Sequence, residues 1–166
     1  MFNQKSKVMK SRNFKLTAIL LMAILFTGLT GFSNRLQAQT PQPVTVESSR
    51  DFEGTVDAIK KAVSNGDMMV LSELNQGQIL SMTGLQVNAH SFFIGNPSVG
   101  KKAFSSDPSA GLVIPVRVNV YEKNGETYVT YFKPSDLFSS YNSKKVKMIG
   151  KKMDSVLKMM MQNISN

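Results

Sequence analysis

Imidazole, thiol, carboxylate and thioether groups carry most side-chain chemistry. This chain has one histidine, His90, and no cysteine. Zinc and copper sites usually draw three or four N, S or O ligands. One imidazole without thiols builds no soft site, so His90 is expected to be structural or at the surface. No metal and no other cofactor is expected. Met159-Met160-Met161 is the contrary hint, because thioethers are soft ligands. Neighbours on a helix diverge by about 100° each and Met commonly fills cores, so the run reads as packing.

Asp51, Glu53 and Asp57 cluster where a helix should begin, which suits a cap and the helix dipole. Glu122 and Glu126 flank a turn and should be solvated. There is no nucleophile elbow and no glycine-rich phosphate loop. Gly95-Asn96-Pro97 could offer backbone N–H groups to an anion, but a capped turn is its plainer reading. No catalytic residue is assigned. What remains is a surface. Arg117, Asn119, Tyr121, Tyr128, Thr130 and Phe132 alternate onto one face of an expected hairpin. Mixed aromatics and arginine are typical of contact surfaces, and they equally suit a sheet face covered by a helix. With His90 they form the candidate ligand or interface face.

These residues need a frame. Val44 to Ser48 alternates like a strand. Asp51 looks like an N-cap, and Phe52, Val56, Ile59 and Val63 recur at helical steps, with Asn65-Gly66 as the stop. Met68 to Leu74 reads as a second strand, Gln76 to Thr83 as a short helix ended by Gly84, and Ser91 to Ile94 as a third strand. Asn96-Pro97 starts a helix that Asp107-Pro108 breaks. Ile114, Val116, Val118 and Val120 then alternate with polar residues. Asn124-Gly125 supplies a type I′ turn that puts Val120 opposite Val129 and Val118 opposite Tyr131. Pro115 cannot donate to a ladder, so its strand is expected to be edge-like or bulged there. Pro134-Ser135-Asp136 opens a short helix. Val146, Ile149, Met153, Val156, Leu157, Met160 and Ile164 mark one face of a long last helix, with lysines solvated around it. The order implies an α+β fold: a largely antiparallel sheet with helices packed on one face.

The stretch from Gly84-Leu85 through Phe93, Gly95-Asn96-Pro97, Gly100, Asp107-Pro108, Ile114-Pro115-Val116-Arg117-Val118, Val120-Tyr121-Glu122, Gly125, Val129, Tyr131, Pro134 and Leu137 resembles the domain of unknown function 302 family. The resemblance covers nearly all of residues 44–164. It implies a TATA-binding-protein-like strand and helix order, often dimeric, and no established catalytic residue. Many members place an Asp-His pair where Asn75-Gln76 stands here, so any metal or proton-transfer role of that histidine is absent.

Residues 1–38 read as a signal peptide. Lys5, Lys7, Lys10, Arg12 and Lys15 precede an uncharged run, Leu16 to Phe32, and Leu36-Gln37-Ala38 ends in a small residue suited to cleavage. The run is just long enough to serve instead as a single membrane anchor. The whole chain has 20 basic and 11 acidic residues, and the leader holds six of the basic ones. Fourteen basic against eleven acidic residues remain, a net charge of +3. Residues 39–43 form an extended lead-in, and 44–165 are long enough for one domain with a fair core.

The expectation is therefore an exported protein, periplasmic or secreted, forming a homodimer, with no membrane insertion once the signal is cut. Its role would be non-catalytic: small-ligand binding or protein interaction. The modest mature charge and the scattered lysines argue against nucleic acid. The alternative is an enzyme of unrecognised type using a Tyr/Arg/His site on the hairpin face.

Overall fold

Asp51 begins the first helix as its side chain accepts the Gly54 N–H at 2.8 Å. This helix, α1 (Phe52–Ser64), buries Thr55, Val56, Ile59 and Val63. A computed structural model describes residues 40–166; the expected leader, 1–38, lies outside the described residues. Around α1 the elements run β1 (Pro43–Glu47), α1, β2 (Met69–Asn75), α2 (Gln76–Ser81), β3 (Ala89–Gly95), α3 (Pro97–Phe104), a 3₁₀ turn (Pro108–Leu112), β4 (Val116–Lys123), β5 (Glu126–Phe132), α4 (Pro134–Leu137) and α5 (Lys144–Ser165).

The strands form one antiparallel sheet in the order β1-β5-β4-β3-β2. The fold is α+β, as expected. The hairpin register is also as expected, with Val118 opposite Tyr131 and Val120 opposite Val129. Asn124 and Gly125 take positive φ, the backbone that a two-residue I′ turn requires.

The expectation for Pro115 is corrected. β4 is the central strand of the sheet, not an edge. Its ladder starts at Val116, so the missing N–H of Pro115 falls just outside the pairing and costs nothing.

One face of the sheet carries Phe92, Ile94, Val116, Val118, Val120, Val129 and Tyr131, all buried. α1 and α5 pack on that face with their own buried side chains, among them Ile59, Val146, Met153, Leu157 and Ile164. Val156 and Ile149 are half-buried flanks of the α5 stripe, while Met161 joins its buried core. No long helix of the described residues lies on the opposite face. Among the described residues no helix is long and apolar enough to cross a membrane.

Candidate functional site

Strand alternation sends Arg117, Asn119 and Tyr121 of β4 to the side away from Val116, Val118 and Val120. Pairing with β5 brings Tyr128, Thr130 and Phe132 to the same side. All six hairpin residues therefore share the open face, which no long helix among the described residues covers. Tyr121 and Tyr128 stack with ring centroids 5.5 Å apart. Thr45 of β1 extends the face, with its hydroxyl 2.9 Å from that of Thr130.

β3 adds residues that sequence reasoning missed. Phe93 is the ladder partner of Arg117, and Ser91 that of Asn119. Ser91 is fully buried under its neighbours. Its Oγ lies 2.9 Å from Oε1 of Gln76 and 2.9 Å from Oδ1 of Asn119, and it accepts Nε–H of Arg117 at 3.1 Å. The hydroxyl has one proton, so it donates to one amide oxygen and accepts from the other amide turned over. The guanidinium is thus fixed at Nε. Among the described residues Arg117 makes no salt bridge.

His90 is not part of this face. It pairs with Val120 and so lies on the helix-covered side, half-buried at the sheet end. Its ring stacks on Phe92 at 4.7 Å, and Nε2 lies 3.2 Å from Oε2 of Glu73. Lys60 of α1 reaches the same carboxylate oxygen at 3.1 Å. The lysine hydrogen bond is the main influence holding the Glu73 carboxyl below its ordinary range, against an opposing effect of burial, with His90 adding a smaller pull. The sheet therefore separates His90 from Arg117, Tyr121 and Tyr128. A joint Tyr/Arg/His site on the hairpin face does not form, because neighbouring positions along β3 point to opposite faces.

The other candidates resolve into structure. Asn96 caps α3 by accepting from Ser98 and Val99 N–H, and its amide donates to the Asp67 carbonyl. The N–H groups that might have met an anion are taken. Asn75 caps α2 through the Gln78 N–H at 2.9 Å, and Gln76 covers Ser91. Gly77 packs so closely on the Val87 carbonyl that a Cβ there would collide. Met160 and Met161 are buried, and Met159 is exposed. Among the described residues no group of three His, Asp or Glu side chains is placed to hold a metal.

Tyr128 donates its hydroxyl to Glu126, and this bond, aided by nearby Glu47, pushes its pKa to about 12. Tyr131, on the covered face, is raised by burial, with Asp154 adding. Clefts of about 250 Å³ between α1 and α5 and about 530 Å³ beside Lys60 and Glu73 lie away from the open face, and none of the six hairpin residues lines either.

Residues 44–164 match the family described as Domain of unknown function DUF302. The chain belongs to that family. A solved structure described as the crystal structure of uncharacterized conserved protein DUF302 from Bacillus stearothermophilus is similar to this DUF302 chain. It has a TM-score of 0.68 and 20% sequence identity, covering 74% of this chain and 97% of that one. At that identity the likeness speaks for the fold alone. No curated protein matches the chain.

Proposed function

We propose that this DUF302 protein is an exported, non-catalytic interaction module, and that a second copy of the chain covers its open sheet face. The observation that carries the reading is the composition of that face. A solvated sheet face ordinarily alternates to polar residues. This one keeps Phe93 and Phe132 near Arg117 and Tyr121 stacked on Tyr128 farther along the hairpin, with Leu71 and Leu74 exposed toward the β2 edge. Aromatic residues and arginine are the types enriched at protein interfaces. Small-molecule sites are concave, whereas this is an open sheet surface. The face also carries both a cation, Arg117, and a carboxylate, Glu47, so a copy turned face to face can offer each charge its opposite.

Export rests on the basic start, the uncharged run and Ala38. Intact-mass analysis of the exported fraction should give a chain beginning at Gln39; a full-length mass in the membrane fraction would mean an anchor. Sedimentation of the purified exported protein tests the interface. A dimer is expected, and Phe132→Asp should dissociate it while the variant still melts cooperatively as a folded monomer. A monomeric wild type, or a dimer indifferent to Phe132→Asp, rejects the reading.

A further inference from the structure

Arg117 and Glu47 occupy one face but cannot meet within one chain. Arg117 lies two residues along β4 from Asn119, the ladder partner of Thr130. Glu47 lies two residues along β1 from Thr45, the other ladder partner of Thr130. β1 and β4 both run antiparallel to β5, so the two offsets point in opposite directions. Thr130 is therefore the midpoint of a diagonal from Arg117 to Glu47. At usual strand and residue spacings that diagonal is about 17 Å, beyond the combined reach of the two side chains.

Among the described residues both charges are otherwise unmatched, and neither makes a salt bridge. The face also carries Lys123 and Glu126, ladder partners at the far, hairpin end, where Glu126 takes the Tyr128 hydroxyl. Arg117 is set in advance, because Nε is held by the buried Ser91. Its terminal nitrogens are left for a planar carboxylate, the geometry that guanidinium matches best. The midpoint is small and satisfied: the Thr130 hydroxyl bonds that of Thr45 at 2.9 Å and the Val44 carbonyl at 3.1 Å.

We propose that two copies meet about a two-fold axis at Thr130, with Arg117 of each copy bound to Glu47 of the second copy. An axis lying in the contact plane, perpendicular to the diagonal, carries the position of Arg117 onto that of Glu47. One symmetry operation then forms both ion pairs, as an isologous interface requires. Enclosed between two sheets, each pair is shielded from the screening that weakens exposed pairs.

This pairing rests on the open-face dimer proposed above, and a charge swap separates the two. Arg117→Glu and Glu47→Arg are each expected to raise the dimer dissociation constant about tenfold or more. The double variant Arg117→Glu/Glu47→Arg should return it close to wild type. Sedimentation equilibrium reads the constants, and thermal melts confirm that each variant is folded. If a single variant fails to fold, Arg117→Gln and Glu47→Gln replace it, each expected to weaken the dimer by a smaller factor. A wild-type monomer rejects both proposals. A dimer that Phe132→Asp breaks, but that keeps its affinity through both charge changes or gains nothing from the swap, rejects the Arg117–Glu47 pairing alone.

Discussion

His90 and Arg117 stand on opposite faces of the same sheet: His90 pairs with Val120 and Arg117 with Phe93, three residues farther along β3. An odd offset along a strand always divides two side chains between faces. The chain thereby keeps its one imidazole among α1 and β2, and Arg117 on the open face beside Phe93. General acid–base chemistry combining the two would need both groups within hydrogen-bond reach of one substrate atom, which the sheet prevents.

The same alternation divides stability from surface along β4. Val118 is fully buried at the centre of the sheet, while Arg117 beside it is exposed. Val118→Ala should cost about 1–3 kcal/mol, the loss of two methyl groups plus a cavity that surrounding strands cannot close. Arg117→Ala and Tyr121→Ala should cost less than about 1 kcal/mol. Denaturant titration of the three variants checks the order, and a silent Val118→Ala would show the faces reversed.

Glu73 ties the edge strand β2 to α1 through Lys60 and to β3 through His90. Its carboxyl is held below the ordinary value of 4.5, first by the lysine hydrogen bond. A carboxylate depressed by folding adds stability above its unfolded value, and that stability is lost as pH falls through the folded value. The side chain is 44% exposed, so screening keeps the contribution below about 1 kcal/mol. Glu73→Gln should lower the melting temperature slightly at neutral pH. The gap to wild type should close below about pH 4 and narrow in high salt.

Tyr128 should titrate at about 12 because ionising its phenol would break the bond to Glu126 and add charge beside that carboxylate. A tyrosine raised by folding contributes stability below its unfolded value near 10, lost as pH rises from there through about 12. In a spectrophotometric titration Glu126→Gln should bring this phenol back toward the ordinary tyrosine value. An unchanged titration in that variant would mean that the hydroxyl does not bond Glu126.

How far the sequence discloses this arrangement depends on whether pairing is local. Asn124-Gly125 joins β4 to β5 by a two-residue turn, and such a turn fixes register. Thus six face residues, from Arg117 to Phe132, are legible without a structure. The α1 stripe from Phe52 to Val63 is legible for the same reason, its period being local. Strand order is not. β1 pairs with β5 across more than eighty residues of chain, and β3 reaches β4 only after α3 and the 3₁₀ turn. Within β3 the run Ser91-Phe92-Phe93-Ile94 is apolar on both faces, so its alternation does not say which side faces the core. That hides the side on which His90 falls and the contacts of Ser91. Pro115 misleads because one residue decides whether its missing N–H lies inside or outside the ladder.

Ser91 then gives the sharpest local test of the open face. It is fully buried, yet its hydroxyl serves three polar groups from two other elements: Gln76 at the start of α2, and Asn119 and the Arg117 Nε on β4. Ser91→Ala removes only one oxygen, so packing is nearly unchanged and the polar partners bear the effect. A buried group left without its hydrogen bond costs about 1–3 kcal/mol. Arg117 is exposed and can turn to water, so the loss should fall at the lower end and come mostly from the two amides. Denaturant titration should show a drop of about 1 kcal/mol, with amide exchange faster at Gln76 and along α2. Ser91→Thr keeps the hydroxyl while adding a methyl group, so it should preserve more of the α2 protection than Ser91→Ala does. A Ser91→Ala protein as stable and as protected as wild type would mean that the hydroxyl does not anchor α2 to the sheet, and that Arg117 is held by nothing but its own stem.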